Sequence, residues 1–207
     1  MFFVAGRFGQ KKTLVISDSM LRGVRIGTRQ DTDLISKGGA KIRDLSASIY
    51  YYADRERARG IKVAGYQTIL IHVGTNDLSN GRSALEISLD IKELLDVIRR
   101  DNRDAVLIVS AILYRPVDDF TSYRKVNVVN AEVDRVCNRF RSTLFIRTHS
   151  VFKSGNTLLA QLYDAHGLHL NRAGLDRLGT YLRARLSRGC LRRDFALARR
   201  PLPRYLR

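Results

Sequence analysis

Four short segments, far apart along the chain, carry side chains that can do chemistry. They are residues 17–19 (Ser-Asp-Ser), 38–39 (Gly-Gly), 74–77 (Gly-Thr-Asn-Asp) and 164–171, which contains two histidines. Each segment alone is weak evidence, because a serine, a Gly-Gly pair or an Asn-Asp pair after a strand most often makes a turn or a cap. All four in this order on one chain are much less expected by chance, and they suggest a shared site.

Together the four segments hold the groups that acyl transfer requires. Ser19 would be the nucleophile and His169 its base, since a serine hydroxyl attacks poorly unless a neighbouring group takes its proton. The negative oxygen of the tetrahedral intermediate needs hydrogen-bond donors. The backbone N–H groups of Ser19 and Gly39 and the side-chain amide of Asn76 would supply them, and a glycine at 39 lets the backbone approach closely.

Strands and helices alternate along the sequence that carries these segments. Apolar, β-rich runs predict strands over residues 13–17, 33–36, 67–73, 105–112 and 143–147. Apolar residues spaced three and four apart predict helices over 40–58, 83–100, about 123–140 and about 173–186. Ser83 and Glu86 have the spacing of a capping box at the start of the second helix.

This alternation predicts a three-layer α/β fold with a mainly parallel sheet. The strand runs are apolar throughout, as expected when helices cover both faces of a sheet. Polar residues with a chemical role then gather at the carboxyl ends of the strands. Three of the four segments follow a predicted strand and the fourth precedes the last helix, so we expect one rim to hold them all.

Length and composition exclude several classes of protein. The 207 residues, 44% of them hydrophobic, suffice for one domain with a sizeable core but hardly for two. No apolar run approaches the roughly 20 residues of a membrane span. Only Cys137 and Cys190 are present, which excludes a disulfide scaffold and a zinc site built on several cysteines. No basic residue precedes the short apolar start, so we expect no secretory signal and an intracellular protein.

The positive charge is concentrated at the two ends of the chain. The net charge is +17, yet residues 183–207 alone carry nine arginines against one aspartate, and residues 1–12 carry three basic residues and no acid. We therefore divide the chain into a basic extension (1–12), a central domain (13–186) and a basic tail (187–207). Such ends attract nucleic acid or another polyanion without sequence specificity, or serve only to keep the protein in solution.

The four segments resemble the motif blocks of the SGNH hydrolase superfamily, the GDSL-type esterases and lipases. The matching stretches are 15–23, 37–45, 72–78 and 167–174. The resemblance carries over Ser19, Gly39, Asn76 and His169 in the family's order, with Ser17 where the family usually has glycine. It covers about residues 13–186 and implies a flavodoxin-like sheet of about five strands. It also implies hydrolysis of small ester or O-acyl substrates without a metal ion or other cofactor.

One position departs from the family pattern. An aspartate usually lies three residues before the catalytic histidine, and here that residue is His166. A neutral imidazole supplies no negative charge to stabilise a protonated His169, and a protonated one would oppose it. Asp164, two residues further back, would orient His169 in its place; alternatively a backbone carbonyl does so and leaves a Ser–His dyad.

Other polar residues have simpler interpretations. Asp164, His166 and His169 are too close together on one loop to predict a metal site. His72 lies within a strand run and is expected in the core or beside the site, and His149 near a strand end receives no role. Asp18 and Asp77 are expected to hold turns by hydrogen bonds.

Two functions are therefore open from the sequence. The first is a serine esterase whose pocket is shaped by loops 114–123 and 148–163. The second is a module on the same fold that has lost turnover and contacts nucleic acid through its basic ends. Esterase-like domains in some non-LTR retroelements have similar stretches to residues 17–22 and 73–77. Fold alone does not decide between the two functions.

Overall fold

In a computed structural model the described residues, 13–27, 31–53, 60–118 and 120–187, are built around one five-stranded sheet. Its strands are β1 (Thr13–Ser17), β2 (Thr32–Ser36), β3 (Thr68–His72), β4 (Val106–Ser110) and β5 (Thr143–Ile146). All neighbouring pairs are parallel, in the order β2-β1-β3-β4-β5. The predicted parallel sheet of about five strands is confirmed.

Five α-helices connect and cover the strands within the described ranges. They are α1 (Ile42–Ala53), α2 (Thr75–Ser79), α3 (Ala84–Asp101), α4 (Phe120–Cys137) and α5 (Arg172–Leu186). No helix among these residues is both long and apolar enough to cross a bilayer. The predicted basic extension 1–12 and the predicted tail beyond Ser187 lie outside the described residues.

The strands β1, β3 and β4 divide their side chains between two cores. In β1, Leu14 and Ile16 pack into the core that α1, α3 and α4 cover, whereas Val15 packs into the core that α5 covers. The same alternation runs through β3, where Ile69 and Ile71 face the first core and Leu70 the second. Because successive side chains in a strand point to opposite faces, a sheet buried on both faces requires unbroken apolar runs. The three-layer arrangement predicted from those runs is confirmed.

The helix α3 begins where the capping box of Ser83 and Glu86 predicts. The backbone N–H of Glu86 donates to the Ser83 hydroxyl at 3.2 Å, and the Glu86 carboxylate accepts the backbone N–H of Ser83 at 2.9 Å. The hydrogen bonds from Ser83 lower the pKa of Glu86. Two backbone donors that a helix start leaves without partners are thereby satisfied.

The structure adds elements where the sequence predicted only turns and loops. Residues 75–79 form the short helix α2, which was interpreted as a turn or cap. The predicted loop 148–163 contains two 3-10 turns, Thr148–Phe152 and Ala160–Leu162, and a hairpin of β6 (Lys153–Ser154) with β7 (Thr157–Leu158). These pieces are too short for a periodic pattern to reveal them. The helix α4 also lies about three residues before its predicted range.

Gly74 makes the sharp turn from β3 into α2. Its φ is +120°, and a Cβ there would lie 2.7 Å from Cδ1 of the buried Ile112. The positive φ favours glycine, and a Cβ at this position would require the end of the Ile112 side chain to shift. This turn is what places the side chains of residues 75–77 above the end of β3.

We predict that Gly74→Ala destabilises the fold by more than the roughly 1–2 kcal/mol that a left-handed residue with a Cβ costs. The extra cost comes from the collision with Ile112. The matched control is Gly81→Ala, at φ +77° with no atom within 4 Å of the added Cβ. Urea unfolding of both variants measures the difference, and equal losses would show that the contact with Ile112 carries no cost.

Candidate active site

The hydroxyl of Ser19 and the ring of His169 meet above the carboxyl ends of the strands. Ser19 lies in the 3-10 turn that follows β1, and His169 lies in the loop before α5. The Ser19 Oγ is 3.1 Å from the His169 Nε2, although the two residues are 150 positions apart. This is hydrogen-bond distance, so the ring can accept the hydroxyl proton.

Asp18 fixes the turn that carries Ser19, the predicted nucleophile. Its carboxylate accepts the backbone N–H of Met20 at 2.9 Å, which caps the 3-10 turn. Its own backbone N–H donates to the carbonyl of His72 at 3.1 Å, and its carbonyl accepts the hydroxyl of Ser36 at 2.7 Å. Bonds to β3 and β2 therefore hold this residue from both sides. The predicted turn-holding role of Asp18 agrees with these contacts.

Asp164 organises the loop that carries the base. Its two carboxylate oxygens accept the backbone N–H groups of Leu168 at 3.0 Å and His169 at 3.3 Å, and its own N–H donates to the carbonyl of His169 at 2.8 Å. The bond from Leu168 and that from His169 lower the pKa of Asp164, so this carboxyl is ionised at neutral pH. Its Oδ2 lies 3.6 Å from the His169 Nδ1, beyond hydrogen-bond length but within reach of an ion pair.

His166 does not occupy the place of a third catalytic group. The residue is exposed, and within the described part of the chain no hydrogen bond joins it to His169. The carboxylate nearest to the ring nitrogen comes from Asp164 instead.

The base loop is braced against the segment that follows β4. Gly167 has a φ of +66°, and a Cβ there would lie 2.7 Å from Cβ of Pro116. The backbone N–H of Val117 donates to the Gly167 carbonyl at 3.3 Å. Residues 114–118, predicted to shape the pocket, thus also fix the position of the base.

Gly39 and Ser19 present backbone N–H groups that have no acceptor among the described residues. The φ of Gly39 is +71°, which explains the glycine, and no atom lies within 4 Å of the position of an added Cβ. The space beside this turn is therefore open to a substrate. Asn76 completes the set: its Nδ2 donates to the carbonyl of Ala40 at 3.0 Å and retains a second N–H.

A second contact ties the segment after β2 to the segment after β3. The carboxylate of Asp77 accepts the backbone N–H of Ile42, at the start of α1, at 3.1 Å. Together with the bond from Asn76 to Ala40, it fixes the glycine turn relative to the amide. The Ala40 carbonyl was not among the predicted site residues, since a backbone acceptor leaves no mark in the sequence.

Burial controls the charge of the two aspartates beneath the site. Removal from water raises the pKa of Asp18 to about 7, an effect that the nearby Asp77 increases and Arg115 opposes. Burial also raises the pKa of Asp77. One oxygen of each carboxyl has no partner among the described residues. A protonated Asp18 adds no negative charge next to a developing oxyanion.

A row of buried polar side chains lies at the ends of β3, β4 and β5. The His72 Nδ1 is 2.8 Å from the Ser110 Oγ, which is 2.8 Å from the Thr148 Oγ1. The Thr148 hydroxyl also donates to the carbonyl of Ala111 at 3.0 Å. Burial lowers the pKa of His72 to about 4, so this ring is neutral. His72 thus lies in the core beside the site, as its strand position indicated.

No motif in the sequence predicts this row, although each of its strands carries a signal. Ser17, His72 and Ser110 each end an apolar strand run with a polar residue. Their alignment across neighbouring strands depends on the register, in which Ser17 is the partner of His72. His149, in contrast, packs edge-on against the ring of Tyr114 with centroids 5.7 Å apart.

Across the described ranges no three His, Cys, Asp or Glu side chains come together as ligands. Within residues 164–169, the His169 ring is hydrogen-bonded to Ser19, and the Asp164 carboxylate accepts the backbone N–H of Leu168.

The sequence profile of the GDSL-like lipase/acylhydrolase family matches residues 21–177. The matched range includes Gly39, Asn76 and His169 and begins two residues after Ser19. The assignment of Ser19 as the predicted nucleophile therefore rests on the geometry described above and not on this match. No curated protein matches the sequence.

Solved structures share the fold at low sequence identity. A member of the lipolytic G-D-S-L family from Veillonella parvula is 15% identical, with 84% of this chain and 97% of that chain covered and a TM-score of 0.65. A carbohydrate esterase of family 3 from Talaromyces cellulolyticus is 14% identical, with 84% and 95% covered and a TM-score of 0.63. An acetyl esterase with a serine-to-alanine substitution and an acetate ion is 14% identical, with 84% and 95% covered and a TM-score of 0.62. At these identities the likeness shows the fold alone.

We predict that Asp18→Asn stabilises the protein relative to the parent chain. The gain in free energy of unfolding should grow as the pH rises from 4 to 7. The folded protein keeps the Asp18 proton up to about pH 7, whereas the unfolded chain loses it near the ordinary pKa of 3.8. The contribution of Asp18 to the parent's free energy of unfolding therefore falls as the pH rises from about 4 to about 7. At higher pH this contribution is constant. Asparagine cannot ionise and still accepts the N–H of Met20.

Urea unfolding of both proteins across this pH range measures the difference. Asp176→Asn, at an exposed carboxylate paired with Arg172, is the control for the loss of one negative charge from the surface. A difference between Asp18→Asn and the parent that does not change from pH 4 to 7 would contradict the raised pKa.

Proposed function

Because the chain belongs to the GDSL-like lipase/acylhydrolase family, we propose that it is a serine hydrolase that cleaves ester or O-acyl groups, such as acetyl groups, through Ser19 and His169. The observation that supports this most directly is the 3.1 Å contact between the Ser19 Oγ and the His169 Nε2. Three hydrogen-bond donors at the same rim, from Ser19, Gly39 and Asn76, add the means to bind an oxyanion.

The first half of the reaction transfers the acyl group to the protein. Ser19 Oγ attacks the ester carbonyl carbon while its proton passes to the His169 Nε2, and the carbonyl electron pair moves onto oxygen. The N–H groups of Ser19 and Gly39 and the free N–H of Asn76 stabilise that oxygen; removing one such donor typically costs about 10²–10³ in turnover. The intermediate collapses, the bond to the alcohol oxygen breaks, and His169 protonates the leaving alcohol.

The second half releases the acid. Water attacks the acyl carbon of the Ser19 ester, and His169 takes the proton of that water as a base. The second tetrahedral intermediate uses the same donors. It collapses with return of the proton from His169 to the Ser19 oxygen, which leaves a carboxylic acid and the free protein.

Asp164 acts as a positioning residue in this scheme. Its ionised carboxylate, 3.6 Å from the His169 Nδ1, favours the imidazolium that forms when the ring takes a proton. The pair gains a hydrogen bond if the ring moves slightly towards it during the reaction. The substitution that places His166 in the family's acid position is thus offset by a carboxylate two residues earlier.

The basic ends support a second, separate proposal of non-specific nucleic-acid binding. It rests on the charge of residues 183–207, nine arginines against one aspartate. The full chain is compared with a chain in which the arginines beyond 187 are replaced by glutamine. Loss of binding to single-stranded RNA at low salt, with a smaller salt dependence, supports the proposal; unchanged binding contradicts it.

We predict that a fluorophosphonate probe labels the protein at Ser19, because the bound histidine makes this hydroxyl nucleophilic. Ser19→Ala abolishes labelling and lowers kcat/KM for 4-nitrophenyl acetate to the background rate. Ser17→Ala is the matched control, since its buried hydroxyl has no partner in the described structure. Mass spectrometry locates the label; equal labelling of the parent and Ser19→Ala would contradict the proposed nucleophile.

We predict that Asp164→Asn lowers kcat on the order of ten- to a hundredfold with little change in KM. The loss is smaller than the roughly 10⁴ measured where a fully bonded triad carboxylate is changed, because the resting contact here is 3.6 Å. Asp176→Asn removes an equal charge from the α5 surface and should leave kcat unchanged.

Steady-state kinetics of the two variants, together with their melting temperatures, separates the charge effect from unfolding. A rise in KM with kcat unchanged would contradict the role of Asp164 in proton transfer.

A further inference from the structure

An arginine lies directly beside the glycine turn of the site. Arg22 closes the 3-10 turn that holds the nucleophile, and its backbone N–H donates to the carbonyl of Ser19 at 3.1 Å. Its side chain reaches across to Gly38, where an added Cβ would lie 2.6 Å from a guanidinium nitrogen. With a carbon–carbon bond of about 1.5 Å and about 3.8 Å between consecutive Cα atoms, that nitrogen is at most about 8 Å from the Gly39 Cα.

The guanidinium of Arg22 has no hydrogen-bond or ion-pair partner among the residues that the structure describes. Arg22 is exposed, and no hydrogen bond or ion pair joins its side chain to any residue in the described ranges. Arg115, near the same rim, is different: its Nε donates to the carboxylate of Asp118 at 2.9 Å, and a second nitrogen contacts the other oxygen of that carboxylate. The charge of Arg22 is therefore left available to a ligand.

The charged side chains described around Arg22 do not neutralise its positive charge. Lys37 and Lys41 flank the glycine turn, and the Lys37 ammonium donates only to the neutral hydroxyl of Ser48, at 2.5 Å. The carboxylates on the same rim are engaged elsewhere, Asp118 with Arg115 and Asp164 with the base loop. Excess positive charge at a site raises the local concentration of anions.

We propose that Arg22 is a specificity residue that binds an anionic group, a carboxylate or a phosphate, on the ester substrate. A guanidinium binds either group through two parallel hydrogen bonds. Because the guanidinium nitrogen is at most about 8 Å from the Gly39 Cα, the anion must lie within about the width of one substituted ring of the scissile carbonyl. This inference rests on the proposed hydrolase function and adds the chemical class of its substrate.

The anion can belong to the acyl part or to the alcohol part of the ester, and three esters separate these cases. They are 4-nitrophenyl acetate, which is neutral, the mono-4-nitrophenyl ester of succinic acid, with the anion on the acyl side, and 4-acetoxyphenyl phosphate, with the anion on the alcohol side. For at least one anionic ester, the ratio of its kcat/KM to that of the neutral ester should fall about tenfold or more in Arg22→Gln, as expected for a charged hydrogen bond.

Two further variants make the comparison specific. Arg22→Lys keeps the charge but not the two-pronged geometry, and should retain part of the preference. Arg177→Gln removes the same charge from an exposed position on α5, and should leave every ratio unchanged. An unchanged ratio in Arg22→Gln, or an equal fall in Arg177→Gln, would overturn the proposal.

A binding measurement needs no turnover and keeps the two proposals distinguishable. Calorimetry with phenyl phosphate and with benzoate should show that Arg22→Gln binds at least one of them about tenfold or more weakly than the parent. If binding is lost in this variant while no ester is cleaved and no fluorophosphonate label is taken up, only the hydrolase proposal fails. If both proteins bind the two anions equally, the assignment of Arg22 fails whatever the activity.

Discussion

The hydrogen bond between Ser19 and His169 is the contact on which the rest of the site depends. Neither residue has a chemical role without the other, because the hydroxyl needs a base and the base needs an acidic proton within reach. The surrounding structure holds the two loops at the distance of that bond. Asp18 is fixed to the neighbouring strands on one side, and Gly167 packs against Pro116 on the other.

The same rim gathers groups that work against stability. Asp18, Asp77 and His72 are all buried, and each keeps a side-chain atom without a partner among the described residues. Buried polar atoms of this kind are costly, and natural proteins accept such costs mainly at functional sites. The apolar strand interiors on both sides of the sheet provide the burial that offsets them.

The buried floor of the site, which contains Asp18 and His72, differs in charge from its edge, where Arg22 and Asp164 lie. Burial keeps His72 neutral and favours the protonated form of Asp18, so the floor carries little charge. The edge is positive, since Arg22 is exposed and unpaired among the described residues whereas Asp164 is committed to the base loop. A weakly charged floor suits the formation of an oxyanion, and a positive edge suits the approach of an anionic substrate.

The sequence by itself determined the layers, the strands and the order of the four chemical segments, because apolar runs and capping residues such as Ser83 are local signals. Tertiary structure alone decided which carboxylate faces His169, how Asn76 is held by a backbone carbonyl, and where the Arg22 guanidinium lies. These facts depend on distances between loops joined only through the sheet. A linear pattern records residue types and spacings, and it does not record such distances.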